Sequence, residues 1–341
     1  MAFRTRRWNS LEKKSLGLMN TLANSIENAE KKEPGLLPDL RNTDTVFVLS
    51  DFGGGHKEAR YLALSFLFVD PGTFYRWDRL WQPERHRHLA DGRRMAYKKL
   101  NDRRRKAALG PFLSAADELN GLLVCFLIHK GIESLFERQG RMEISESEQM
   151  EFGEWKPAVF EKLLLSVHIV SLFLAGLSKP NQDILWYTDK DEIAPNIYKL
   201  YNVCEIFNRI SSQYLPHQMR HFRFGTSASD DGTKRLEDLL SIPDLSAGCM
   251  QDLLSCYEEA NMELQTKLIL PAPPHLSWKA RTLIEWFSTQ GAALKRFVYS
   301  INPIKDSKSI RIQRIKFWST GLVCDKRAYP HNPSVHRTAK T

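Results

Sequence analysis

The chain has 341 residues, 42% hydrophobic and 26% charged, with 49 Lys+Arg against 40 Asp+Glu for a formal charge of +9. This ordinary globular usage excludes wholesale disorder, and 18 Gly with 16 Pro exclude collagen-like and low-complexity classes. The length suits one large α/β domain with insertions or two modest domains.

The apolar residues Leu11, Leu16, Met19, Leu22 and Ile26 fall near helical spacing, predicting an amphipathic helix that Glu33-Pro34-Gly35 ends. Its stripe is expected to pack on the body of the protein, or else on a partner or a second copy. Thr45–Asp51 reads as a buried strand closing on a carboxylate and the Gly53-Gly54-Gly55 turn. Arg60–Val69 is a second strand, and Asp70-Pro71-Gly72 points to a hairpin with Thr73–Trp77 as its return. Residues 90–119 read as helical, and Leu122–Ile128, which holds Cys125, as a buried strand.

The acidic stretch Glu137–Glu154 reads as a surface loop, and Trp155–Leu177 as a long helix stopped by Lys179-Pro180. The apolar part of that helix, Leu163–Leu177, is shorter than the roughly 20 residues a bilayer span needs. Asp183–Thr188 is a strand followed by Asp189, Asp191 and Glu192; Ile193–Ile210 is helical and His221–Phe224 a short strand. Asp244–Glu259 and Trp278–Ser300 are predicted helices separated by the break Pro271–Pro274. Lys305–Lys316 reads as an edge strand guarded by lysine and arginine, and the tail from Pro330 as flexible.

The pattern predicts an α/β fold, a mixed sheet flanked by helices with helical additions at both ends. The expected division is a helical extension over 1–40, an α/β domain over 41–262, and a helical extension with a basic tail over 263–341. Five cysteines, at 125, 204, 249, 256 and 324, lack metal-ligand spacing and argue against a disulfide framework. The basic N-terminus, Met1–Trp8, lacks the apolar run of a signal peptide, so a soluble cytoplasmic protein is expected.

Three acidic positions share one address. Asp51 ends the first strand, Asp189 ends a later one with Asp191 and Glu192 close behind, and Asp244 opens a late helix. Ligands of open α/β sheets gather beyond the carboxyl ends of strands, so adjacent parallel strands would aim Asp51 and Asp189 into one crevice. Carboxylates crowded there repel unless a divalent cation neutralises them, and hard oxygen ligands suit Mg²⁺ or Mn²⁺. Taken singly, each has an ordinary role: Asp51 in a turn, Asp189 and Asp191 capping the next helix, Asp244 as an N-cap after Pro243. Their joint position is what points to a site.

The order strand–Asp51-Phe52-Gly53-Gly54, second strand, strand–Asp189, then Ile242-Pro243-Asp244-Leu245-Ser246-Ala247-Gly248 resembles the ribonuclease H-like superfamily. Within it, the sequence is most similar to the bacterial family called domain of unknown function 3800. The first strand of that family usually ends in Asp-Glu-Ser-Gly and its closing helix carries a Leu-Ala-Asp-Leu-Ile-Ala-Gly type of run. The resemblance covers residues 45–259 and implies a divalent-metal-dependent nuclease with Asp51, Asp189 and Asp244 as metal ligands. Phe52 stands where that family has its second acid, so Asp191 or Glu192 would complete the catalytic set.

Between residues 76 and 106 lie twelve Lys+Arg and four acids, a local charge of +8 that accounts for nearly all of the chain's +9. Trp77, Trp81 and Tyr97 interleave with these cations, a composition suited to phosphates and unpaired bases. Arg93, Arg94, Lys98, Arg103, Arg104 and Arg105 are the expected contacts to an RNA or DNA backbone. One alternative is a non-catalytic nucleic-acid-binding protein on the same fold. A remoter one is a sugar-nucleotide glycosyltransferase using Gly53-Gly54-Gly55-His56, which would need a helix, not a strand, over Ala63–Phe68. Walker A, His-Glu-x-x-His and Gly-x-Ser-x-Gly motifs do not occur.

Overall fold

In the computed structural model, which describes residues 7–11, 17–56, 58–132, 134–136, 153–189, 192–260, 262, 267–269, 275–289, 292–304 and 309–318, the apolar runs become strands. They are Thr45–Gly53 (β1), Tyr61–Val69 (β2), Gly121–His129 (β3), Asp183–Thr188 (β4) and His221–Thr226 (β5), then Lys267–Ile269 (β6), Leu294–Pro303 (β7) and Ile310–Trp318 (β8). They form one mixed sheet in the order β5-β4-β1-β2-β3-β7-β8-β6. β1, β2 and β3 are an antiparallel meander, while β4 joins β1 and β5 joins β4 in parallel. On the other side β7 runs parallel to β3, β8 returns antiparallel, and β6 lies parallel to β8.

Among the described residues, seven α-helices cover the two faces: Gly17–Lys32 (α1), Phe74–His88 (α2), Arg103–Ala116 (α3), Pro157–Leu177 (α4), Ile197–Tyr214 (α5), Arg235–Glu259 (α6) and Trp278–Ser288 (α7). Alternate residues of a strand point to opposite faces. Leu49, Ala63, Leu67, Leu123 and Val298 therefore pack with α2, α3, α6 and α7. Val48, Leu64, Phe66, Phe68, Val124 and Phe126 pack with α1, α4 and α5. The result is a three-layer α/β architecture with a core on each side of the sheet.

The N-terminal helix packs its stripe on the body of the protein: Met19, Leu22, Ala23 and Ile26 are buried in the second core. Glu30, buried on the same helix, accepts hydrogen bonds from the backbone N–H of Arg7 (2.7 Å) and Trp8 (3.0 Å). Helix α4 is long and apolar enough to cross a membrane by length and composition, but most of it is buried between the sheet and its neighbours.

Four sequence expectations change. Asp70-Pro71-Gly72 does not open a hairpin; Asp70 Oδ1 accepts from Gly72 N–H (2.8 Å) and starts a turn that leads into α2. There Trp77 and Trp81, one turn apart, bury their rings against Phe112 at 5.1 and 4.9 Å between centroids. Residues 93–99 are not continuous helix; only Tyr97–Lys99 make a short 3₁₀ turn before α3. The predicted helix over Trp278–Ser300 stops at Ser288, and its second half is the buried strand β7. The C-terminal part is thus no helical extension, because β6, β7 and β8 complete the sheet. Of the stretch Lys305–Lys316, the described residues from Ile310 belong to β8, which pairs with β7 along one side and meets the three-residue β6 only at Lys316–Trp318 on the other. The stretches 137–152 and 270–274, the tail beyond 318 and Cys324 lie outside the described residues.

Candidate active site

The register of β1 and β4 sets the site. Ser50 is paired with Thr188 as the last match of the two parallel strands, so Asp51 and Asp189 follow side by side at their carboxyl ends. Asp51 shares the parity of Leu49, and Asp189 that of Tyr187, both of which pack on the face covered by α6. Helix α6 supplies Asp244 from well inside its length. Its N-cap position is Lys234, and its first-turn N–H groups are satisfied by Asp230, whose Oδ2 accepts from Leu236 N–H (2.9 Å) and Glu237 N–H (3.2 Å). Asp244 is therefore not the N-cap that its position after Pro243 suggested.

Electrostatics tie the three acids together. The Asp51 carboxyl is pushed well above the usual carboxylate range, first by burial and then by the charges of Asp244 and Asp189. Asp244 is also raised by burial, although the Tyr97 backbone N–H, donating to its Oδ2 at 2.7 Å, and Arg94 pull the other way. Phe52 points to the opposite face, edge-on to Phe66 at 6.2 Å. An acid at that position would be turned away from Asp51, so Phe52 takes no ligand from the crevice.

A cation stands among the acids. Arg94 Nη1 donates to Asp189 Oδ1 at 2.9 Å, and Nη2 donates to Oδ2 in a second, parallel bond. Its guanidinium is held in the charged form first by Asp189 and then by the fields of Asp244 and Asp51. The segment carrying it is pinned to α6. Ser241 Oγ donates to the Met95 carbonyl (2.7 Å), and the Tyr97 hydroxyl donates to Asp252 Oδ2 (2.6 Å). A Cβ added at Gly248 would stand 2.3 Å from the Tyr97 ring, so the glycine of the Ala247-Gly248 pair is what lets that ring lie on the helix. Sequence reasoning missed this role of Gly248 and the inward role of Arg94. Gly248 was legible as a small residue one turn after Asp244, whereas Arg94 was hidden in a run of cations.

Among the described residues, no group of three Asp, Glu, His or Cys side chains is placed to hold a metal ion together. The donor chemistry nevertheless fits a hard cation: three carboxylates face one guanidinium, and burial, with the neighbouring carboxylates adding to it, disfavours the charged form of Asp51 and Asp244 in the absence of a further cation. Asp51 and Asp244 are the residues that would hold Mg²⁺ or Mn²⁺, with Asp189 joining when Arg94 lets go. Glu192 is exposed on the loop before α5, and Asp191 lies outside the described residues.

Four of the six expected backbone-contacting cations have partners within the chain. Arg93 pairs with Asp91 (2.7 Å) and Asp102 (3.0 Å), and Arg104 with Asp91 (2.9 Å). Arg105 Nε donates to the Arg94 carbonyl at 2.8 Å, and Asp102 caps α3 through the N–H groups of Arg104 and Arg105. Arg93, Arg94, Arg104 and Arg105 thus each have an ion-pair or hydrogen-bond partner within the chain, which sequence reading did not anticipate. Lys98 and Arg103 are exposed, and Lys98 lies within electrostatic range of Asp244.

The glycine loop leads into β2, so it presents no helix N-terminus to a diphosphate. Gly54 adopts φ +79°, and a Cβ there would stand 2.1 Å from the Tyr61 carbonyl. Gln251 Nε2 of α6 donates to that same carbonyl at 2.7 Å, which fixes the loop beside the crevice. No protein-family model matches the chain, and a comparison with curated proteins gives no match.

Proposed function

We propose that the protein is a ribonuclease H-like, divalent-metal-dependent nuclease that hydrolyses RNA or DNA phosphodiesters. The observation that carries this reading is the convergence of Asp51, Asp189 and Asp244 from β1, the end of β4 and α6 into one electrostatically coupled crevice. The meander β1-β2-β3 with β4 and β5 added in parallel beside β1 supports it, because it sets the first and fourth strands side by side with both acids at one edge.

Mg²⁺ or Mn²⁺ bound there would activate a water and stabilise the leaving oxygen. Asp51 and Asp244 would provide its ligands, while Asp189 is held in reserve by Arg94. Tyr97 orients Asp244 through its backbone N–H, and Gln251 positions the glycine loop past which a phosphate would approach. Lys98 would contact the phosphate chain beside Asp244.

A second reading, a non-catalytic nucleic-acid-binding protein on the same fold, draws on one observation: Arg94 already supplies a cation to the acids. The deciding experiment incubates purified protein with labelled RNA and DNA in Mn²⁺. Cleavage that disappears in Asp51→Asn supports the nuclease; binding without cleavage favours the second reading.

A further inference from the structure

A second polar concavity lies at the other edge of the sheet. β7 runs parallel to β1 through the β1-β2-β3 meander, so its first residues stand at the edge opposite Asp51. There the start of β7, the end of β8, the end of α7 and the turn after α1 enclose a cavity of about 220 Å³. Lys295, Arg296, Arg314 and Lys316 line it, with Glu33 as the lining carboxylate.

The charges in this cavity do not balance. Arg296 is matched by Asp117, to which its Nη1 donates, and Lys316 approaches Glu33 only to 3.9 Å. Arg314 is different. Its guanidinium lies over the Phe297 ring at 4.1 Å, and its Nε and Nη1 are buried with no hydrogen-bond acceptor among the described residues. Lys295 has only the Ala292 carbonyl, at 3.0 Å, as a hydrogen-bond partner among the described residues. Burial is the largest influence on both side chains and disfavours their charged forms; the fields of Arg7 and Arg296 add to this at Lys295, and the field of Glu33 works against it at both. One carboxylate, Glu33, thus faces four cations, and an anion bound in the cavity would supply acceptors to the buried donors of Arg314 and charge to Lys295.

We infer that this cavity is an oxyanion site that takes a phosphate group, with Arg314 and Lys295 as the residues that hold it. Phosphate suits it because two or three positive groups face one small concave space, where a tetrahedral anion meets several donors at once. The group can arrive on a small phosphorylated molecule or on a nucleic-acid chain. The site stands apart from the acid crevice and does not depend on it.

Thermal unfolding of the full-length protein in a phosphate-free buffer at constant ionic strength tests the assignment. Inorganic phosphate at millimolar concentration is expected to raise Tm by about 3 °C over matched chloride. The shift is expected to vanish in Arg314→Met and in Lys295→Met and to persist in Asp51→Asn. Arg314→Met removes an unpartnered cation, so its Tm without phosphate should equal or exceed that of the natural chain. Should that variant fail to fold, Lys295→Met decides alone. Competition by adenosine 5′-monophosphate, set against an oligonucleotide lacking a terminal phosphate, separates the two sources. No phosphate-specific shift, or one that survives in the folded variants, overturns the proposal.

Discussion

Arg94 and Asp189, 95 residues apart in sequence, are joined by two parallel hydrogen bonds at the mouth of the acid crevice. Both are about one-third exposed, so water weakens the pair and its worth is of the order of 1 kcal/mol. A divalent ion that recruits Asp189 must break it. Arg94→Gln is therefore expected to tighten Mn²⁺ binding by about five- to tenfold, read by calorimetric titration. Unchanged or weaker binding would show that Arg94 does not compete for the carboxylate.

The acids of the crevice strain the protein when they carry charge without a metal. Asp51 and Asp244 have folded-state pKa values above the ordinary 3.8, so the native state holds their protons more tightly than the unfolded chain. Their contribution to stability is fully present below the unfolded value and is lost as pH rises through the folded one. Asp51→Asn is expected to stabilise the metal-free protein at pH 7 by about 1–2 kcal/mol and to flatten that decline. Urea unfolding between about pH 4 and pH 8 measures both effects.

Gly248 and Tyr97 form the joint between α6 and the Arg94 segment. Gly248→Ala drives a methyl group into the Tyr97 ring, with an expected loss of about 2 kcal/mol. Most of that loss should return in the double variant with Tyr97→Ala if the clash is its cause. A loss unaffected by the second substitution would place the effect elsewhere on the helix.

Arg85 and Asp238 are a buried pair joined at 2.8 Å, with Trp81 Nε1 also donating to Asp238 at 2.7 Å. Burial pushes Asp238 up to about 6 against the pull of Arg85. Asp238→Ala leaves the arginine charged inside the first core and is expected to cost about 3–5 kcal/mol in denaturant unfolding. Removing both partners by Arg85→Met and Asp238→Leu should recover much of that loss.

Strands β1, β3 and β4 were legible because each is an unbroken apolar or β-branched run. Helix α2 was not: Trp77 and Trp81 are buried one turn apart, but arginines and Pro83 surround them and mask the stripe. β7 was read as helix because Phe297–Ser300 is buried throughout, and a wholly buried run carries no period that separates strand from helix. At the site, Asp51 and Asp189 were legible from their places at strand ends. The internal pairing of Arg93, Arg94, Arg104 and Arg105 was not, because sequence shows a run of charge without showing which acids face it. The same limit recasts the +8 between residues 76 and 106. Part of that charge is paired within the chain, other cations such as Arg79, Lys99, Arg103 and Lys106 face outward, and Lys98 is the exposed one within electrostatic range of Asp244.

The most direct test of the nuclease reading is cleavage of end-labelled single-stranded RNA and DNA in Mn²⁺ by the natural chain, Asp51→Asn and Asp244→Asn, with nucleic-acid binding followed in parallel. The account expects cleavage by the natural chain, a loss of at least about a hundredfold in each variant, and binding that stays within a few-fold. Full binding with no cleavage by the natural chain, or cleavage undiminished in both variants, would contradict it.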